Sequence, residues 1–215
     1  MNDTRKAILN RLNHYQLKYS GIESDAKAKQ TDWGLEEKVK RFTARMQAVQ
    51  AEVHEASLET WPEVLQEICH AKAINNLLAS PSTRWGKEIY ADAKRFPSLK
   101  RFQQPVEAWK TDFFNTIEAA VTGSAGGIAE TGSLILCPDM QEPRTLSLVP
   151  PIHIALLEKK RIYNTLSEAI HQQNWVQTGM PTNVILISGP SKSADIEQTM
   201  TYGVHGPKEL IILLV

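Results

Sequence analysis

The sequence predicts an α/β protein with a mainly parallel sheet flanked by helices. Three observations lead there. Short apolar runs at Ser133–Cys137, Val184–Ile187 and Leu210–Val215 have the length and composition of buried strands. Segments with helical periodicity alternate with those runs. Polar, glycine-bearing stretches lie beside the runs, as loops at strand ends do in such folds.

Taken in order, residues 3–18 form a first helix with Ile8, Leu12 and Tyr15 on one face, and Gly21–Thr31 is a polar connector. Leu35, Val39, Phe42, Met46 and Val49 recur at spacings of three and four, which gives a second helix with one apolar stripe. Asp32 is suited to cap it, and Glu36 and Glu37 suit its positive end. The stripe can pack on its own domain or dock on a partner subunit. Glu52–Ser57 reads as a short strand, Thr60-Trp61-Pro62-Glu63 as a helix start, and Asn75–Ala79 as a returning strand, together a βαβ signal. Ser80–Gln104 is broken by prolines and predicts irregular links with one short helix over the site. Trp109–Phe114 is a strand or short amphipathic segment. Ala119–Ala129 is small, apolar and rich in glycine, which suggests close backbone packing around a turn and short helix. Leu146–Ala155 holds Pro150-Pro151 and a strand candidate, and Thr165–Trp175 is a helix with capping-box spacing at Thr165 and Glu168. The domain organisation expected is a helical extension over 1–50 and an α/β domain over 51–215.

Composition narrows the function. Lys plus Arg total 24 and Asp plus Glu total 24, so no net field favours nucleic acid or an anionic membrane. No apolar stretch approaches a membrane span, and the amino terminus has no signal-like block, so the expected setting is the cytoplasm. Cys69 and Cys137 are the two cysteines. They fall short of the roughly four ligands an iron–sulfur cluster takes, and no Cys or His pair has metal-ligand spacing, so neither a metal nor an intrinsic cofactor is expected.

Four segments can carry chemistry. Ile128-Ala129-Glu130-Thr131-Gly132-Ser133 combines a carboxylate, a hydroxyl and a flexible backbone, suited to proton transfer by Glu130 or anion binding at Thr131. Its plain alternative is a turn tied to the next strand. Glu142-Pro143-Arg144 leads toward His153; Arg144 can clamp a carboxylate or phosphate, and His153 is either a proton acceptor or a core histidine. Ser188-Gly189-Pro190-Ser191-Lys192-Ser193 can turn amides and hydroxyls toward an anion, with Ser191, Lys192 and Asp195 as binding candidates. Gly203-Val204-His205-Gly206-Pro207 puts His205 on a loop before the last strand. Glu130, His153 and His205 are thus the acid/base candidates. Walker, dinucleotide-fingerprint and nucleophile-elbow motifs are all missing from the sequence.

The order of these segments, with Val121-Thr122-Gly123 and Leu148 through Ala155, resembles the lactate utilization protein C family of the LUD-domain group. The likeness is clearest over 121–215. It implies a fold similar to ribose-5-phosphate isomerase and coenzyme A transferases. It also implies a part in oxidising L-lactate to pyruvate, with iron–sulfur clusters carried by partner proteins. Ser133 and Ser193 stand where similar proteins often have threonine, and Lys192 where arginine is common. The functions to weigh are a cluster-free component offering a small-carboxylate pocket or a redox-partner docking surface, an enzyme acting on phosphate sugars or coenzyme A, and a non-catalytic assembly or regulatory subunit.

Overall fold

The structure is a computed structural model that describes residues 4–11, 32–102, 110–194 and 200–215. Met1–Asp32 and Trp33–Val215 form separate compact units. In the first, residues 4–11 are helical (α1); the rest of the expected first helix and the connector lie outside the described residues. The second helix lies after that division, in the larger unit.

That helix, α2 (Leu35–Ala48), opens the larger unit. Its N-cap is Gly34, without a side-chain cap bond, so the expected role for Asp32 is not realised. Phe42 and Met46 are fully buried and pack with Leu157, Leu210 and Ile212. The stripe therefore serves this unit's own core and leaves those two side chains unavailable for docking.

Six parallel strands make the main sheet: β1 (Glu52–Glu55), β2 (Asn76–Ala79), β3 (Ser98–Arg101), β4 (Ala119–Gly123), β7 (Ile152–Leu157) and β12 (Glu209–Leu214). Their spatial order is β1-β12-β7-β4-β2-β3. Side chains alternate between its two faces. On one, Leu77, Val121, Ile154, Leu156, Ile211 and Leu213 pack under α3 (Trp61–Ala71) and α4 (Arg84–Ala91). On the other, Leu78 and Ala120 meet Phe113 of α5 (Lys110–Thr116) and Leu146 of α6 (Thr145–Leu148), while Ala155, Leu157 and Leu210 meet α2 and a second sheet. Cover on both faces explains why the inner strand β12 reads as a near-continuous apolar run.

The second sheet is mixed; two of its strands fall on the apolar runs at Ser133–Cys137 and Val184–Ile187, but their membership of a separate sheet was not expected. It has the order β8-β5-β6-β9, from β8 (Ile162–Tyr163), β5 (Gly126–Ile128), β6 (Ser133–Leu136) and β9 (Ile185–Ile187). β5 and β6 are an antiparallel hairpin, and β6 and β9 are also antiparallel. Its outer face packs Ile128, Ile135 and Tyr163 with Ala169 of α7 (Leu166–Gln172) and Trp175 of α8 (Trp175–Thr178). A small ribbon pairs β10 (Lys192–Ala194) with β11 (Met200–Tyr202).

Two expectations are corrected. Ala119–Ala129 is two strands, not a turn and helix. A Cβ at Gly127 would stand 2.9 Å from Leu157 Cδ2 and 3.0 Å from Phe42 Cε2, and one at Gly126 would stand 2.7 Å from the Arg161 carbonyl oxygen. The glycines do mark close packing, but within a strand wedged against the core. Leu146–Ala155 begins as α6 and becomes strand only at Ile152, after the two prolines. Ser80–Gln104, expected as irregular links with one short helix, also holds the edge strand β3. Thr165 caps α7 by accepting from the Glu168 amide at 3.1 Å.

Candidate active site at the carboxyl end of the central strand

The chain steps outward from β2 to the edge strand β3, returns past β2 to β4, and then runs the other way through β7 to β12. The carboxyl ends of β2 and β4 therefore flank a topological switch point, where open α/β sheets place their ligands. A cleft of about 170 Å³ opens there. It is lined by Thr122, Gly123 and Ser124 at the end of β4, by Leu136–Pro138 at the end of β6, and by the segment from Glu142 to Ser147. That size lies below the roughly 300–1,000 Å³ of drug-sized sites and suits a small molecule.

Glu142 is its central group. A tight turn delivers it: Asp139 Oδ1 accepts from the amides of Gln141 and Glu142, each at 2.7 Å. The Gly123 amide then donates to both carboxyl oxygens, at 3.2 and 3.1 Å. Burial pushes the Glu142 carboxyl up to about 7, beyond what the Gly123 amide and the Thr83 hydroxyl offset, and Asp139 adds to the rise. A carboxyl that titrates near neutrality inside a cleft has the property a general acid or base needs. Gly123 is required for this arrangement. A Cβ there would lie 3.1 Å from Trp85 Cδ1 and 3.6 Å from Glu142 Oε2.

Arg144 is the cation among the lining residues and is exposed. The hydroxyl of Ser147 returns to the Arg144 carbonyl at 3.0 Å and fixes the start of α6. Cys137 also lines the cleft, with its thiol pushed upward by burial. Behind the wall sits His153, 1% exposed, with Nε2 2.9 Å from Thr122 Oγ1. Burial lowers the imidazole to about 4, so it is neutral at physiological pH.

The other sequence candidates lie elsewhere. Glu130 and Thr131 occupy the closed end of the β5–β6 hairpin, whereas the cleft borders its open end at Ala125 and Leu136. Three residues of strand rise separate those ends, about 10 Å. Both are exposed; the Glu130 amide donates to the Asn164 carbonyl at 3.0 Å. Thr131 begins a hydroxyl chain, 2.8 Å from Thr131 Oγ1 to Ser133 Oγ and 2.6 Å on to Ser188 Oγ. Ser191 bonds through its backbone to Pro207 and Gly203, at 2.9 and 3.0 Å, so the loops bearing Lys192 and His205 meet there. The next residues, Lys208 and Glu209, both donate to the Pro151 carbonyl, which puts this junction at the amino ends of β7 and β12. Lys192 and His205 are exposed, and Asp195 lies outside the described residues. Thus Arg144 lines the cleft, His153 reaches it through Thr122, and the remaining described candidates gather away from it. Glu142 and Thr122 were the residues sequence reasoning missed. Both stood in quoted segments, but their burial depends on strands that meet only in the fold.

Among the described residues, no cluster of three or more His, Cys, Asp or Glu is arranged to hold a metal ion, and both cysteines are free. No helix among them is long and apolar enough to cross a membrane.

Comparison with known proteins places this geometry. An uncharacterized protein of Neisseria meningitidis serogroup B is 42% identical over 187 residues, covering 85% of this chain and 79% of that protein. A lactate utilization protein C of Macrococcus caseolyticus is 38% identical over 98 residues, covering 44% of this chain and 42% of that protein, less than half of each. The crystal structure of a DUF162 family protein from Deinococcus radiodurans shares the fold, with a TM-score of 0.59 at 22% identity over 86% of this chain and 99% of that one. The LUD domain matches residues 39–215, from within α2 to the last residue of the chain, and so takes in both sheets and the whole cleft: the chain belongs to the LUD domain family.

Proposed function

We propose that this chain is the cluster-free component of a system oxidising L-lactate to pyruvate, and that the cleft at the end of β4 is its small-carboxylate pocket. The observation that carries the reading is the half-buried Glu142 carboxyl, held by the Gly123 amide and poised near neutrality in the same cleft as Arg144. Support also comes from the likeness to a lactate utilization protein C.

Oxidation of lactate removes two protons and two electrons, one proton from the hydroxyl and one hydrogen from C2. Arg144 would anchor the carboxylate with paired donors. Glu142, deprotonated in a large fraction of molecules near pH 7, would take the hydroxyl proton. The C2 hydrogen would leave with its two electrons, as a hydride, to a two-electron cofactor carried by a partner protein; iron–sulfur clusters of the same system would then take the electrons singly, and the proton would pass to water. The cysteines here suit no such cluster: Cys69 is on the buried face of α3, and Cys137 lines the cleft.

The test is reconstitution. The chain is purified alone and with its iron–sulfur partners, and lactate-dependent reduction of an electron acceptor is followed. Activity should require this chain and fall sharply in Glu142→Gln. Equal rates with and without the chain reject the proposal.

A further inference from the structure

We propose that His153 is a positioning residue for Thr122, and that the Thr122 hydroxyl reads the C2 oxygen of a 2-hydroxy or 2-oxo acid in the cleft. This rests on the carboxylate-pocket reading above and adds how the site tells substrate from product.

β7 is apolar except at one position. His153 stands between Ala120 of β4 and Leu210 of β12, on a face that is otherwise packed with hydrocarbon. A polar ring buried there needs a partner, because stripping its water without a hydrogen bond is costly. Thr122 supplies it from two residues along β4, at 2.9 Å. Thr122 is itself buried to 4% exposure, yet it lines the cleft. The hydrogen bond thus runs from the core to the wall of the site.

A free threonine hydroxyl rotates and can donate or accept as required. A rigid neutral imidazole removes that freedom. If Nε2 accepts, Thr122 offers the cleft only lone pairs, which match a substrate hydroxyl proton. If Nε2 donates, the Thr122 proton stays available, which matches a keto oxygen. In the first case, with its proton committed to the imidazole, the wall has one fixed polarity, that of an acceptor. Lactate and pyruvate share the carboxylate that Arg144 would hold and differ at the C2 oxygen, so a fixed polarity at Thr122 separates them.

The experiment measures L-lactate and pyruvate affinity for the full chain by titration calorimetry. The wild-type ratio of the two affinities should depart from one, and Thr122→Val, which keeps the shape and loses the hydroxyl, should move it by about fivefold to tenfold. Thr122→Ser should restore it. His153→Leu, an apolar replacement in an apolar setting, should move the ratio in the same sense, and the double variant should match Thr122→Val alone. An unchanged ratio in Thr122→Val, or equal weakening of both acids in His153→Leu, overturns this inference while Arg144-dependent binding keeps the pocket. If wild type binds neither acid, both readings fall.

Discussion

Two polar clusters of the larger unit lie at opposite ends of the β5–β6 hairpin and use their groups differently. At the junction of the β5–β6 turn with the loop after β9, three hydroxyls bond to one another, from Thr131 through Ser133 to Ser188. At the carboxyl end of β4, Glu142 takes a backbone amide, Thr122 is held from behind by His153, and both face a cleft. The first cluster spends its hydrogen bonds inside the protein and ties two segments together. The second keeps a carboxyl buried at a price in desolvation, which a purely structural site has no reason to retain. The contrast assigns chemistry to the cleft and cohesion to the hydroxyl junction.

The largest expected effect separates them by activity. In the reconstituted system, Glu142→Gln should lower kcat/KM for lactate by about 10²–10⁴-fold, the usual range for removing a general base. Ser133→Ala should leave the same rate within about threefold, since a bond between neutral hydroxyls is worth on the order of 1 kcal/mol and lies outside the cleft. Comparable losses in both variants would dissolve the distinction.

The next effect concerns stability against pH. The folded pKa of Glu142, about 7, lies above its ordinary value of 4.5. The folded protein therefore holds this proton more tightly than the unfolded chain does. The associated stability is complete below pH 4.5, declines as pH rises, and is gone above about pH 7. Glu142→Gln removes that decline, and its Gln oxygen can still accept from the Gly123 amide. Relative to wild type, the variant should gain on the order of 3 kcal/mol between pH 4 and pH 8. His153 is common to both proteins and cancels in the difference. Paired thermal or urea melts at the two pH values measure it, and a pH-independent difference would remove the buried-carboxylate argument.

A smaller effect tests the ligand. Arg144→Ala should weaken L-lactate binding by about 10–100-fold, the scale of a lost charge-assisted hydrogen-bond pair. Arg144→Lys should fall between, since a lysine keeps the charge and loses the fork. Lys192→Ala, on the loop that meets Gly203 and Pro207 at the amino ends of β7 and β12, should leave affinity unchanged in the same calorimetric titration.

Much of this architecture was open to a reader of the residues. Periodicity at Leu35 through Val49 located α2, and the apolar runs at 133–137 and 210–215 located two central strands, because pattern follows directly from burial on one or two faces. What the sequence concealed depended on third elements. Gly126 and Gly127 signalled a close approach, but only the hairpin's packing against Leu157 and Phe42 decides that the approach occurs in a strand. Arg144 could be nominated from its chemistry alone. Glu142, two residues earlier, could not be preferred to Glu130, since nothing local shows that one carboxyl is half-buried against Gly123 and the other exposed.

The smallest predicted effect bears on the cohesive junction itself. Ser133 is 3% exposed and lies at the centre of the hydroxyl chain, so Ser133→Ala deletes two hydrogen bonds at once. The outer partners, Thr131 and Ser188, are exposed and can turn to water, which limits the loss. The expected cost is therefore about 1–2 kcal/mol, below what two fully buried unsatisfied groups would bring. Ser133→Thr offers a sharper form of the same measurement. It keeps the hydroxyl but adds a methyl beside the Leu134–Ile187 pair of β6 and β9. If the hydroxyl chain is what matters, Thr should be more stable than Ala in urea melts. If packing dominates, Ala should be the more stable of the two, and the junction would be a spacer, not a clamp.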